Sequence, residues 1–161
     1  MLSHSRNNEQ IVAQLTQKSL TIATAESLTA GMLSSTIADV PGASAVLQGG
    51  IVAYNNTVKH RLLDVSADIL AARGAVDAET AREMARGARK RFNSDLGIAT
   101  TGVAGPDPSE GKAVGIVFIA LATPHETTAK LLRFDGNRDH IRRSTVAASL
   151  QLVAEWLEQQ E

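Results

Sequence analysis

Apolar positions in this chain recur in two rhythms. At helical spacing, Ile11, Val12 and Leu15 share one face of residues 9–19, after Asn7 and Asn8, which can cap that helix. Ala30, Leu33, Ile37 and Val40 make a second stripe, for a helix starting at Ser27 or Thr29 and stopped by Pro41-Gly42. The clearest helix is 78–92, where Asp77 is a good N-cap and Ala81, Met84, Ala85, Ala88 and Phe92 line one side. Residues 57–72 predict a short helical turn or two, punctuated by Asp64 and Ser66. A last helix runs over about 137–158, with Asp139 in its positively polarised first turn.

Between these lie strand-like runs at 21–25, 50–55, 96–101 and 114–122, and 127–134 alternates well enough to pair with the last as a hairpin. Helices separate the early strands, and two strands adjoin late. That order predicts an α/β layered domain whose mixed sheet is parallel at first and carries one antiparallel pair. No linker, repeat or low-complexity segment divides the chain, so 1–161 reads as one domain.

Composition narrows the function classes. A 161-residue chain buries about 70% of its unfolded surface and needs no staple. Lacking cysteine, it offers no thiol nucleophile, thiolate zinc site or iron–sulfur cluster. Sixteen Lys+Arg against seventeen Asp+Glu give a net charge of -1, and aromatics are only 3%. Both argue against a nucleic-acid partner. No apolar run approaches a membrane span and residues 1–10 are too polar for a signal peptide, so a cytoplasmic location without membrane contact is expected.

Several motif-like patterns fail on inspection. The 105–112 stretch has the wrong spacing for a phosphate loop, carries Ala113 where Ser or Thr should hold magnesium, and leads into a strand. Ser109 and Lys112 match a Ser-x-x-Lys pair in letters, but Pro108 and Gly111 oppose the helix it needs. His4, His60, His125 and His140 lack paired metal spacing, so no metal site is expected.

Polar residues at strand ends remain. Thr24-Ala25-Glu26-Ser27-Leu28-Thr29-Ala30-Gly31 links a strand to a helix, where an anion can be received or the hydroxyls can simply cap. In Pro41-Gly42-Ala43-Ser44 the serine follows a tight turn, and Tyr54 and Lys59 lie at and beyond the end of the next strand. A serine attacks only when something takes its proton, and here a desolvated lysine or a tyrosinate is the available base. A turn serine, a half-buried tyrosine and a surface lysine would fit the same spacing. Small residues in Thr101-Gly102-Val103-Ala104-Gly105-Pro106 let main-chain amides approach a ligand. Arg138, Arg142 and Arg143 at the start of the last helix suit phosphate or carboxylate.

Taken in order, these pieces, with Tyr54-Asn55-Asn56, Gly74-Ala75-Val76, Val114-Gly115 and Gly136-Asn137-Arg138, resemble the CinA C-terminal domain family of nicotinamide mononucleotide deamidases, over about residues 21–156. The resemblance implies a single three-layer α/β/α domain. It implies a metal-free, cofactor-free amidohydrolase acting on a small nucleotide, and a homo-oligomer. Ser44 would be the nucleophile with Tyr54 and Lys59 as the activating pair. Ser27 and Thr101, beside Gly102, would bind or orient substrate, with Ser27 the other candidate for attack. Arg142, then Arg138, would hold the phosphate. The family's Glu-Ser-Cys-Thr-Gly-Gly reads here with Leu28 for the cysteine and Ala30 for the first glycine. A catalytically silent nucleotide-binding module of the same fold is the alternative.

Overall fold

A computed structural model describes the backbone of residues 2–160 and the side chains of 7–160; His4 lies outside the described side chains. The elements are α1 (Leu2–Gln17), β1 (Ile22–Glu26), α2 (Met32–Ala38), β2 (Leu47–Val52), α3 (Asn56–Leu63), α4 (Ala67–Arg73), α5 (Ala78–Phe92), β3 (Leu96–Gly102), β4 (Ile116–Ala122), β5 (Thr127–Arg133) and α6 (Arg138–Glu158). A single 3-10 turn, Ala43–Ala45, precedes β2.

The five strands lie in the order β2-β1-β3-β4-β5. β2, β1 and β3 run parallel, while β4 is antiparallel to both β3 and β5. The expected mixed sheet is therefore present, with two antiparallel pairings where one was expected, because β4 opposes both of its neighbours. β1 is buried along its whole length, as a strand covered on both faces must be, and the edge strands β2 and β5 are only part-buried.

Side-chain size sorts the two faces. Ile22, Leu96, Ile98, Val117, Ile119 and Leu121 join the core beneath α1, α2 and α6. Ala23, Ala25, Ala99, Ala120 and Ala122 face α5, whose own Ala81, Ala85 and Ala88 meet them. The alternation of large and small residues along each strand thus makes three layers, one thick interface and one thin. No described helix is long and apolar enough to cross a membrane.

Most sequence-derived elements stand, and the differences have local causes. α1 begins at Leu2, so Asn7 and Asn8 lie within it and do not cap it. α2 begins at Met32, not at Ser27 or Thr29, because Ala30 (φ 48°) and Gly31 (φ 97°) turn the chain through left-handed conformations first. Asn55, Ser66, Asp77 and Asn137 each cap a helix with their own side chains. β2 starts earlier than expected because its parallel register sets Leu47 against Ile22 and Val52 against Glu26.

Candidate active site

The parallel trio ends at one rim of the sheet, where ligands collect in α/β folds. Glu26, the last residue of β1, accepts a hydrogen bond from the Ala53 N–H just beyond β2, and the Ser27 N–H donates to Thr100 of β3. Ser27 thus sits just past the end of β1, the middle strand of the parallel trio, between its two neighbours. Asn55 caps α3 by accepting from the Val58 N–H at 2.9 Å, and the first turn of that helix aims Lys59 back under the strand ends. Lys59 is 1% exposed. Its Nζ donates to Ser27 Oγ at 3.1 Å and to the Ala53 carbonyl at 2.8 Å.

Burial pushes the Lys59 ammonium down from 10.5 to about 8, partly opposed by the negative charge of Glu110. An amine so placed is neutral often enough near neutral pH to take a hydroxyl proton. Serine and amine in mutual contact at the floor of a cleft are the parts of a nucleophile–base pair.

A cavity of about 460 Å³ opens above them, lined by Ser27, Leu28, Tyr54, Asn55, Lys59, Ala75, Thr101, Gly102, Asp107, Glu110 and Arg138 among others. Thr101 Oγ1 donates to the Ala75 carbonyl at 2.7 Å. Glu110 accepts from the Ala75 and Val76 N–H groups at 3.1 and 3.2 Å. Together they lock the 74–76 turn against the site. Across the mouth, Arg138 donates to the Gly105 carbonyl at 2.7 Å and to the Tyr54 hydroxyl at 2.8 Å. It enters none of the ion pairs among the described residues, so its charge stays available to an anion.

Ser27, Lys59, Tyr54, Thr101, Gly102 and Arg138 therefore converge as the sequence suggested. Ser44 does not. It is exposed in the 3-10 turn before β2, whereas Tyr54 and Lys59 lie beyond the other end of that strand. Six strand residues at roughly 3.3 Å each hold the two ends about 20 Å apart. The expected pairing of Ser44 with Lys59 is corrected to Ser27 with Lys59. Tyr54 is also not an intermediary between serine and lysine, since the residue is 56% exposed and its hydroxyl is turned to Arg138.

The ranking of the arginines reverses as well. Arg142 donates to the carbonyls of Leu28 and Thr29 at 2.8 and 3.2 Å, bracing the turn after Ser27, and is not among the residues lining the cavity. Arg138, one turn earlier, reaches the mouth.

Two acidic residues escaped the sequence reading. Glu26, buried at the end of β1, accepts from the Leu33 and Ser34 N–H groups at the start of α2 and from the Ser34 hydroxyl. Its signal was a carboxylate directly after the strand-like run 21–25. Glu110 stands at the tip of a tight turn, with φ 52° followed by Gly111 at φ 72°, closed by the Ser109–Lys112 bridge. The Glu-Gly pair marks the turn, but nothing local tells where its carboxylate reaches. Among the described residues no group of three or more His, Asp or Glu is placed to hold a metal ion.

The CinA C-terminal domain model matches residues 4–157. A putative competence-damage inducible protein of Desulforamulus reducens is 49% identical over 151 residues, which are 93% of this chain and 37% of that protein. A CinA-like protein of Frankia casuarinae is 47% identical over 147 residues, 91% of this chain and 34% of its own length. The chain thus spans little more than a third of these curated relatives. Among solved structures, the competence/damage inducible protein CihA of Agrobacterium tumefaciens superposes with a TM-score of 0.91 at 33% identity, covering 96% of this chain and 95% of that one. A CinA superfamily protein of Klebsiella pneumoniae gives 0.94 at 25% identity, covering 97% and 98%.

Proposed function

This chain belongs to the CinA C-terminal domain family, and from that premise we propose that it is a serine-dependent amidohydrolase converting nicotinamide mononucleotide to nicotinic acid mononucleotide and ammonia, in pyridine nucleotide recycling. The observation that carries the reading is the contact of the buried Lys59 amine with the Ser27 hydroxyl at the floor of the cavity. Neutral Lys59 accepts the Ser27 proton as Oγ attacks the carboxamide carbon. The carbonyl oxygen gains negative charge, and the Leu28 N–H, directly after the nucleophile and unpaired among the described residues, is a donor available to it.

The tetrahedral adduct collapses when the C–N bond breaks and the Lys59 ammonium returns its proton to the departing nitrogen. Ammonia leaves an ester on Ser27. Water then gives its proton to Lys59, attacks the ester carbon and releases the carboxylic acid product as Ser27 Oγ recovers a proton. Arg138 at the mouth pairs with the phosphate, and Tyr54, sharing a hydrogen bond with Arg138, flanks the ring and sugar. Thr101 and Gly102 form the wall that orients the amide.

The test is release of ammonia from nicotinamide mononucleotide by the purified protein. Ser27→Ala should reduce the rate by at least about 100-fold, on the scale of losing an essential catalytic group, while Ser44→Ala should stay within about twofold of the unaltered protein. Release that survives in Ser27→Ala and disappears in Ser44→Ala would refute the assignment. Nucleotide binding without any release would favour the silent module.

A further inference from the structure

The mechanism leaves one side of the cavity unused. Glu110 is carried 34 and 35 positions away from the N–H groups it holds, on a turn closed by the Ser109–Lys112 bridge and tied also through Lys112 Nζ to the Arg73 carbonyl at 3.5 Å. Glu110 is exposed, and two main-chain hydrogen bonds hold its carboxylate against the 74–76 turn at the cavity edge. The charged groups lining the cavity are Lys59 at the floor, Arg138 at the mouth, and Asp107 and Glu110 in the 106–111 loop, with Tyr54 as the other titratable group. Arg138 is tied to Tyr54 and Gly105, and Glu110 to Ala75 and Val76, so positive and negative charge are anchored to different parts of the rim. Glu110 is near enough to Lys59 for its field to act on the ammonium.

A cavity with an arginine on one part of its rim and a carboxylate on another favours a ligand whose two ends have opposite charge. We propose that Glu110 is a specificity-determining residue that makes this site select amides borne on a cationic ring, with the anionic group of the same molecule held at Arg138. This rests on the amidohydrolase reading for its choice of ligand, yet it concerns binding and has its own readout. The ring of nicotinamide mononucleotide is a pyridinium cation. Its dihydro form keeps the carboxamide, ribose and phosphate but has a neutral ring. Removing one unit charge at the cavity edge should change the preference between the two by about five- to tenfold, given an effective dielectric constant near 20 and partial screening by solvent.

The experiment is calorimetric titration of both forms into Ser27→Ala, which removes turnover, and into the same protein carrying Glu110→Gln or Glu110→Ala. Ser27→Ala should bind the oxidised form about tenfold tighter than the reduced form. Both Glu110 variants should bring that ratio to within about twofold while changing affinity for the reduced form by less than threefold. An unchanged ratio in both variants would overturn the proposal. So would an equal loss of affinity for both forms, since Glu110 would then only brace the loop. Binding of neither form would overturn it together with the amidohydrolase reading. A charge-dependent ratio in a protein that releases no ammonia would support the proposal and defeat that reading alone.

Discussion

At the residue scale, the decisive feature is an amine held where it is poorly solvated. Lys59 is the largest fully buried polar side chain, with Nζ bonded only to Ser27 Oγ and the Ala53 carbonyl among the described residues. Its pKa of about 8 against 10.5 has consequences for stability as well as rate. Below pH 8 both the folded and unfolded chains hold the proton, and the folded state bears the full cost of a buried charge. Between about 8 and 10.5 the unfolded chain binds more protons than the folded one, so stability rises with pH through that window. Lys59→Met should therefore stabilise the protein at pH 7 by about 1–2 kcal/mol, the relieved desolvation being partly offset by two lost hydrogen bonds. It should also flatten the rise between pH 8 and 10.5 and abolish activity, whose own rate profile in the unaltered protein should climb with an apparent pKa near 8. Urea unfolding across pH 6–10.5 checks the first two; an unaltered pH dependence in Lys59→Met would show that another group controls it. The lysine and tyrosine of this site were legible in the sequence as polar residues at a strand end. The partner serine was not, because Ser27 and Ser44 differ only in which end of which strand they occupy. That depends on the parallel register pairing Glu26 with Val52, and no local pattern in the letters encodes it.

At the element scale, the Asp77 cap was readable because it acts through its own side chain on the Glu79 N–H, whereas Asn7, Asn8, Ser27 and Thr29 do not start their helices and Asn55, expected at the end of a strand, caps α3. The turn between β1 and α2 was the least readable. Its apolar spacing from Ala30 onward suits a helix, but the end of β1 and the start of α2 are joined by the Glu26 carboxylate on the Leu33 and Ser34 N–H groups. The intervening residues must then reverse direction, which places Ala30 at φ 48° and Gly31 at φ 97°. Ala30 is exposed, so the cost of alanine in place of the family's glycine lies in the backbone. A left-handed alanine costs roughly 1–2 kcal/mol, and glycine loses about 0.4–1 kcal/mol through the unfolded chain. Ala30→Gly should accordingly stabilise the protein by up to about 1 kcal/mol. Gly31→Ala should destabilise it by a similar amount or more, although its new methyl would meet nothing closer than Val52 at 3.7 Å. Chemical denaturation of the two variants decides this, and stabilisation by Gly31→Ala would refute the strain argument.

At the scale of the whole molecule, the layer order was legible from the alternation of helices and strands, while the thickness of each layer was not. The alanines at 23, 25, 99, 120 and 122 read as bland strand residues, yet they let α5 settle close to the sheet and leave α3 to pack on α5. Two glycines record how close these approaches are. A Cβ at Gly87 of α5 would lie 2.0 Å from the Leu63 carbonyl oxygen at the end of α3, and one at Gly97 of β3 would lie 2.1 Å from the Ala85 carbonyl oxygen. Both neighbours are main chain and cannot rotate away, so either alanine forces whole elements apart, at a cost of about 1–3 kcal/mol or more. Helix propensity alone would favour alanine at position 87 by about 1 kcal/mol, which makes its sign informative. The functional outcomes should differ. Leu63 follows Lys59 by one helical turn, so displacing α3 moves the amine relative to Ser27, where a shift of about 1 Å costs on the order of 100-fold in rate. Gly97 pairs with Ala23 near the opposite end of β3 from the cavity, and α3 is not its neighbour. Gly87→Ala should thus lose kcat with little change in KM, and Gly97→Ala should lose stability yet retain kcat in its folded fraction. Urea titration and ammonia release measured on the same preparations separate the two. A Gly87→Ala protein with full kcat would mean that the packing of α3 on α5 does not set the position of the lysine.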